Sequence, residues 1–157
     1  MLSIALYQPD IPQNVGAMIR LCACMNTSLE IIEPASFPWD ERKIKQSAMD
    51  YIDKLQMKKH TSWDAFRDTN KTKRVILMTT KAAQPYIDFN FRPDDILLAG
   101  SESAGVPDDV HAAVDGRILI PMQAGMRSMN IVNATSMILG EALRQTRWNK
   151  LDGAKNE

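Results

Sequence analysis

A glycine-rich turn late in the chain constrains the fold more than any other feature. The run Asp95–Ala99 is typical of a buried strand, and it leads directly into the segment 100–107, Gly-Ser-Glu-Ser-Ala-Gly-Val-Pro. Dinucleotide-binding Rossmann domains carry their glycine loop after the first strand instead. The position of this loop therefore indicates a ligand site built late in the chain, on a different α/β plan.

A second strand-to-loop-to-helix junction follows closely. The apolar run Ile118–Met122 contains Pro121 and is followed by Arg127-Ser128-Met129-Asn130 and a further apolar stretch. In parallel sheets, ligands bind in the crevice outside the carboxyl ends of strands. Two such junctions in the C-terminal half predict a nucleotide-type ligand held by late loops.

Apolar runs and helical patterns alternate along the chain, which predicts an α/β fold with a mostly parallel sheet and right-handed crossovers. The runs are continuous rather than alternating, as expected of strands covered on both faces. The predicted strands are Ser3–Tyr7, Leu29–Glu33, Arg74–Thr79, Asp95–Ala99 and Arg117–Ile120, with a further short one near Leu55–Lys59. The predicted helices are Gln13–Met25, Glu41–Ser47, Trp63–Thr69, Pro107–Val114 and Ser128–Trp148.

Composition narrows the class of protein. The 157 residues, 45% apolar and 24% charged with a net charge of zero, suit one globular domain over residues 1–150, followed by a polar tail at 151–157. The chain has no apolar run of the roughly 20 residues that span a bilayer, and its N-terminus lacks a basic signal-peptide region. Cys22 and Cys24 are expected to be reduced thiols in a cytoplasmic protein.

The first helix combines an apolar stripe with polar candidates. Arg20 falls nearly opposite the stripe. This position suits a solvated surface arginine, and it equally suits an arginine that binds a phosphate or reaches across a subunit interface. Asn14 is expected to cap the helix. The stripe consists of Val15, Met18, Ile19, Cys22 and Met25.

The last helix is apolar over more than one face, which indicates burial in a core or in a dimer interface. A line of small and polar residues also runs along it at spacings of three and four: Asn130, Asn133, Ser136 and Gly140. The sequence is consistent with close helix packing through these residues and also with a functional role for them.

Three ordered motifs resemble the SPOUT superfamily of RNA methyltransferases, in particular the small TrmL/YibK-type enzymes that methylate the wobble nucleotide of tRNA. The motifs are segments 11–22 (IPQNVGAMIRLC), 100–107 (GSESAGVP) and 120–134, which begins IPM and continues as RSMNIVNA from Arg127. The segments 31–34 (IIEP) and 79–81 (TTK) add to the resemblance, which covers almost the full chain.

The resemblance implies an α/β fold with a deep C-terminal trefoil knot, an obligate homodimer, and S-adenosylmethionine with no metal. It implies 2′-O-methylation of cytidine or modified uridine 34 in tRNA-Leu isoacceptors, with no stable protein partner. The implied cofactor-binding residues are Met78, Thr79, Gly100, Glu102, Gly105, Ile120, Met122, Ser128 and Met129. The implied catalytic residues are Arg20, Ser128, Asn130 and Asn14.

Some alternatives remain open on the sequence. Another tRNA or ribosomal RNA target, a catalytically silent RNA-binding protein of this fold, and an unrelated flavodoxin-like or Rossmann domain all fit parts of the pattern. His60 and His111 are not expected to be catalytic. Basic residues that would hold RNA phosphates fall in three clusters: Arg42, Lys43 and Lys45; Lys54, Lys58, Lys59 and His60; and Lys71, Lys73 and Arg74.

Overall fold

Short buried strands form the centre of the protein. The computed structural model describes residues 1–81 and 84–148, and all strand pairs in it are parallel. The strands are β1 (Ser3–Tyr7), β2 (Ser28–Ile32), β3 (Met57–His60), β4 (Val75–Met78), β5 (Gln84–Pro85), β6 (Ile96–Ala99) and β7 (Gly116–Leu119). They form one seven-stranded sheet in the order β3-β2-β1-β6-β4-β7-β5.

Helices cover both faces of this sheet. They are α1 (Pro12–Cys24), α2 (Glu41–Ala48), α3 (Trp63–Thr69), α4 (Asp108–Ala113) and α5 (Ile131–Thr146), with 3₁₀ turns at Met49–Lys54 and Tyr86–Asp88. Helices α1, α2 and α5 bury apolar side chains against one face, and α3 and α4 cover the other. Burial on both faces explains why β1 and β6 have no exposed residue to produce an alternating pattern.

The sequence predicts this architecture well. Every predicted strand and helix is present. Strand β1 and helix α3 have the predicted bounds, and most of the other elements are displaced by one or two residues. The short strand expected near Leu55–Lys59 is β3. The two-residue β5 and the 3₁₀ turns were not predicted, because elements of this length carry no periodicity.

The predicted start of the last helix is wrong. The helix begins at Ile131 rather than Ser128, because the Asn130 side chain accepts hydrogen bonds from the Val132 and Asn133 amides at 2.9 and 3.3 Å. An asparagine that caps a helix in this way lies outside it, with extended backbone. Ser128 and Met129 therefore belong to the loop before α5.

The late strands are inserted between earlier ones. Strand β6 lies between β1 and β4, and β7 lies between β4 and β5. Since all pairs are parallel, the loops that follow β1, β4, β6 and β7 leave the sheet at one common edge. The trefoil knot implied by the resemblance stays a prediction, and the predicted tail at 151–157 lies outside the described residues.

Ion pairs lie at the opposite edge of the sheet, the amino edge, where the parallel strands begin. The fully buried Asp95 accepts two hydrogen bonds from the Arg74 guanidinium, at 2.7 and 2.8 Å, and one from the Arg92 amide. Lys71 pairs with Asp68 at 3.5 Å. Two members of the third predicted RNA-binding cluster are therefore paired, and the cluster lies just before β4, at the edge away from the late loops.

One backbone position generates a stability prediction. Met49 follows α2 with φ 54° and ψ −144°, a conformation that L-residues rarely adopt, and its side chain is 54% exposed. Met49→Gly should raise the free energy of unfolding by about 1 kcal/mol, since relief of strain exceeds the entropic cost of glycine. A thermal melt should show a rise in Tm of about 2–4 °C.

Lys45→Gly is the matched control for this variant. Lys45 is exposed in the interior of α2, where glycine costs about 1 kcal/mol. The two substitutions should therefore shift the Tm in opposite directions, and a loss of stability in Met49→Gly similar to that of Lys45→Gly would contradict the strain.

Candidate active site

The loop after β1 is fastened to the glycine-rich loop after β6. Asp10 accepts hydrogen bonds from the backbone amides of Glu102 and Ser103 at 3.1 and 3.2 Å, and one from the Ser103 hydroxyl. The pairing of β1 with β6 brings these segments together, since Leu6 lies opposite Ala99 at the end of the ladder. A single carboxylate thus fixes the position of the glycine loop.

The glycine loop is a closed turn. Ser101 and Gly105 exchange backbone hydrogen bonds of 3.0 and 2.9 Å, and Gly105 has a φ of 66°. A Cβ on Gly100 would lie 2.6 Å from the Gly105 backbone, whereas a Cβ on Gly105 would meet nothing within 4 Å. Gly100 is therefore required for closure of the turn, and Gly105 leaves open space beside the backbone.

Asn14, Glu102 and Asn130 form a chain of hydrogen bonds that joins all three motifs. The Asn14 amide donates to the Glu102 carboxylate at 2.8 Å, and the Asn130 amide donates to the Asn14 side-chain oxygen at 3.3 Å. The expected capping role of Asn14 is wrong, because α1 begins at Pro12 and the Asn14 side chain faces these partners instead. The chain orders the entry of α1, the glycine loop and the entry of α5 together.

A narrow cleft lies beside this hydrogen-bonded chain. Its walls come from the end of β1, the first turns of α1, the glycine loop and the start of α5, and they include Leu6, Pro9, Asn14, Met18, Gly100 and Ile131. The lining is mostly apolar with a few polar groups at its rim, and it encloses no space large enough for a water molecule.

Two carboxyl groups meet where Asp10 holds the loop. The pKa of Asp10 is lowered to about 2, first by its hydrogen bond with the Glu102 side chain and then by the Ser103 and backbone donors. Burial of the Glu102 carboxyl, followed by the hydrogen bond with Asp10, raises the pKa of Glu102. The two shifts have opposite directions, so Glu102 loses its proton at a higher pH than Asp10 does.

The predicted cofactor residues lie in loops at the same edge of the sheet. Met78 ends β4, and Thr79 donates its backbone amide to the Ile118 carbonyl at 3.0 Å. Ile120 and Met122 follow β7 and are half-buried. Ser128 and Met129 are exposed in the loop before α5, where the Met129 side chain is 39% accessible.

Arg20 stands apart from this cluster within one chain. It is exposed, and its guanidinium lies 5.8 Å from the centre of the Tyr51 ring. Six residues along α1 separate it from Asn14, which amounts to about 9 Å of helix rise and about 240° of rotation. A single chain therefore does not bring Arg20 to Asn14, Glu102 and Asn130.

The histidines lie outside the site, as predicted. His60 ends β3, is buried, and lies 2.6 Å from the Glu30 carboxylate, which also accepts a hydrogen bond from Asn70. His111 is on α4, where its ring contacts Arg117.

Asp10 is the residue that sequence reasoning missed. It lies directly before the first motif, and its partners are more than ninety positions away in the chain. An acidic residue beside a proline in a loop is common at turns, so only the proximity to the motif could have drawn attention to it.

A comparison with family models decides the family. Residues 1–140 match the SpoU rRNA Methylase family. The chain belongs to this family. The unrelated flavodoxin-like or Rossmann alternative is therefore excluded.

Curated relatives of this SpoU family member are named as tRNA (cytidine(34)-2′-O)-methyltransferases. One from Beijerinckia indica subsp. indica is 55% identical over 144 residues, covering 90% of each chain. One from Escherichia coli K12 is 37% identical over 147 residues, covering 92% of this chain and 94% of the relative.

Solved structures have the same fold. A structure described as "Structural insights into the 2-OH methylation of C/U34 on tRNA" superimposes with a TM-score of 0.88 at 34% identity, covering 92% of this chain and 95% of the other. The methyltransferase AviRb from Streptomyces viridochromogenes, in complex with AdoMet, has a TM-score of 0.84 at 24% identity, covering 92% of this chain and 57% of its own.

Two further observations describe the protein around the site. In residues 1–81 and 84–148, no three His, Cys, Asp or Glu side chains are grouped as a metal ion requires. Within the same ranges, no helix has the length and apolarity needed to cross a bilayer.

The carboxyl pair predicts a pH-dependent effect of Glu102→Gln. Because its pKa is raised, Glu102 contributes stability fully below the ordinary glutamate pKa of 4.5, and that contribution is lost as pH rises through the raised value. Asp10, with a pKa of about 2, loses its contribution only under more acidic conditions. Glutamine keeps a neutral donor toward Asp10 at every pH.

The free energy of unfolding of Glu102→Gln relative to the wild type should therefore increase between pH 4 and pH 8, by less than about 1 kcal/mol because the pair remains in contact with water. Thermal melts of both proteins across this range measure the difference. Glu41→Gln, at an exposed position in α2, is the control for removal of a carboxyl group outside the Asp10–Glu102 contact. A Glu102→Gln difference that stays constant with pH would contradict the raised pKa of Glu102.

Proposed function

We propose that the chain is an S-adenosylmethionine-dependent tRNA (cytidine(34)-2′-O)-methyltransferase, which methylates the ribose 2′-hydroxyl of the wobble nucleotide. The proposal extends to cytidine or modified uridine 34 of tRNA-Leu isoacceptors, in the cytoplasm, with residues 1–150 as one catalytic domain. The observation that carries it is the chain of hydrogen bonds through Asn14, Glu102 and Asn130, which joins all three motifs at one cleft. The names of relatives at 55% and 37% identity support the same reaction.

The late loops fit the proposed cofactor. Met78, Ile120 and Met122 supply half-buried apolar surface for an adenine, and the open space beside Gly105 admits a ligand close to the backbone. Backbone groups of Ile120, Met122 and Met129 would bind the base, and Thr79, Gly100, Glu102 and Ser128 would complete the site. When bound, S-adenosylmethionine supplies an electrophilic methyl group on a positively charged sulfonium.

The protein's own part in the reaction is to position and polarise the acceptor. A ribose hydroxyl is a weak nucleophile, so alignment supplies much of the acceleration. Asn14 and Asn130 are held by each other and by the cap of α5, and we assign them, with Ser128, to orientation of groups at the cleft. Arg20 is permanently protonated, which suits a phosphate clamp that favours hydroxyl ionisation rather than a base.

We further propose that the active form is a homodimer in which Arg20 reaches the cleft of the partner. One face of α5 is buried in its own chain, while Met137 on that helix and Ile11 before α1 are 41% and 39% exposed. A second subunit would cover these two exposed apolar side chains. The separation of Arg20 from Asn14 within one chain is explained by the same arrangement.

Methyl transfer to tRNA is the direct test. Total tRNA from a strain without its wobble ribose methylase should gain a 2′-O-methylated pyrimidine at position 34, detected by nucleoside analysis with labelled S-adenosylmethionine. Arg20→Ala should lower the rate by about a hundredfold, the usual effect of losing one preorganised charge. Arg67→Ala, on the opposite face of the sheet, is the control and should retain activity.

Cofactor binding without any methylated product would contradict the wobble-nucleotide assignment. A product on a different tRNA or on ribosomal RNA would then indicate another RNA target, and none on any RNA would indicate a catalytically silent protein of this fold.

Mixed dimers test whether Arg20 acts across the interface. Gly100→Val should block the cofactor site, since even a Cβ at Gly100 would lie 2.6 Å from the Gly105 backbone. A dimer of one Arg20→Ala chain and one Gly100→Val chain, co-expressed with different tags, contains one intact site if the arginine comes from the partner. Its activity should be about half that of the wild type, because a two-fold dimer has two equivalent sites.

Each parent homodimer should be nearly inactive, with a dimeric mass and an unchanged circular dichroism spectrum as controls for folding. A mixed dimer as inactive as its parents would place Arg20 in the site of its own chain, and a stable monomeric mass for the wild type would contradict the homodimer.

A further inference from the structure

An aromatic pair with a covering lysine lies in the loop between β2 and α2. The rings of Phe37 and Trp39 are stacked, with centroids 6.1 Å apart and planes 17° from parallel. The Lys59 ammonium, from β3, lies 3.7 Å from the centre of the Trp39 ring. We refer to these three residues as the Trp39 platform.

The platform lies at the same edge of the sheet as the candidate active site. Its loop leaves the carboxyl end of β2, and Lys59 is the penultimate residue of the neighbouring β3. The Ser36 amide donates to the Pro9 carbonyl at 3.0 Å, and Pro9 directly precedes the Asp10 that holds the glycine loop. One hydrogen bond thus connects the platform loop to the loop that organises the site.

Support of α2 explains only part of this arrangement. Trp39 directly precedes the Asp40 cap of α2, the position of a hydrophobic staple, and the buried Ile44 occupies the matching place in the helix. A staple needs apolar volume, which leucine provides equally well. Both rings also pack partly against the apolar core beside α1 and α2, and neither this packing nor the staple requires a cation over the indole.

Charged residues of both signs lie close to the platform in the chain: Asp40 and Glu41 follow Trp39, and Arg42 and Lys43 come next. Among the side chains that the structure describes, no carboxylate is within 4.0 Å of the charged groups of Lys58, Lys59, Arg42 or Lys43, and all four residues are exposed. Single-stranded nucleic acids are bound by this combination: aromatic faces stack on bases while unpaired cations follow the backbone phosphates.

We propose that the Trp39 platform binds an unpaired base of the RNA substrate, next to the nucleotide that is methylated. The base stacks on the indole of Trp39, and Lys59 moves from the ring to a backbone phosphate. The proposal rests on the proposed function, because it takes the RNA at the cleft as its ligand. Stacking tolerates any base, so the platform contributes affinity and position rather than base identity.

Substitution of Trp39 separates stacking from structural support. With a tRNA anticodon stem-loop, Trp39→Leu should raise the KM and the Kd about tenfold, the effect of one lost stacking contact, with little change in kcat. Trp39→Phe, which keeps an aromatic face, should recover most of the affinity. The affinity for S-adenosylmethionine should be unchanged and both variants should stay folded, and Trp63→Phe, on the other face of the sheet, is the matched control.

Fluorescence provides a readout that RNA would not change if Trp39 had only a structural role. The chain has three tryptophans, so replacing Trp63 and Trp148 by phenylalanine leaves Trp39 as the only emitter. Saturating stem-loop RNA should quench its emission. Lys59→Gln should reduce the slope of log Kd against log salt by about 0.7, the value for one phosphate contact on a single strand.

Two results would overturn the platform: RNA affinity of Trp39→Leu within twofold of the wild type, or Trp39 emission that RNA at saturation leaves unchanged. If Trp39→Leu does not fold, Trp39→Phe and the fluorescence titration still test whether Trp39 binds a base of the RNA. A wild type that methylates no RNA refutes the proposed function, whereas active wild type with an unaffected Trp39→Leu refutes the platform alone.

Discussion

The parallel pairing of β1 with β6 is the constraint on which the site depends. Ser3 lies opposite Ile96 and Leu6 opposite Ala99, so the first and second motifs leave the sheet side by side although they are about ninety residues apart. Asp10 can hold the glycine loop only from this position. The start of α5 is then positioned by the hydrogen bond from the Asn130 amide to the Asn14 side chain.

The elements of the fold could be predicted because their signals are local. Strands buried on both faces appear as continuous apolar runs, and α3 has a serine cap and a clear apolar face. The roles of Asn14 and Asn130 could not be separated in the same way. Either asparagine is an acceptable cap in sequence, and the choice is made by Glu102, a partner 88 residues from Asn14 that only the sheet topology brings near.

The same reasoning applies to the buried polar residues. Glu30 lies in a strand pattern that gives no sign of a partner, yet it is enclosed with His60 and Asn70. Its two partners come from the ends of β3 and α3, so the cluster exists only once β2 has paired with β3. A buried carboxylate without such partners would be strongly unfavourable. The need of Glu30 for these partners therefore helps to place β3 beside β2, at the edge of the sheet.

The net charge of zero conceals an unequal distribution over the molecule. At the amino edge of the sheet, Arg74 and Arg67 are neutralised by Asp95 and Asp115, the residues that precede β6 and β7. At the carboxyl edge, exposed lysines of β3 and α2 have no such partners among the described side chains. Carboxylates also lie at this edge, among them Glu41, Glu102, Asp108 and Asp109, so the unpaired lysines offer local contacts to a polyanion rather than a net positive field. Arg20 likewise has no carboxylate partner among the described side chains. In the proposed two-fold dimer, its positive charge would be added to the cleft of the partner. The charge of the cleft and its catalytic geometry would then both depend on the second subunit.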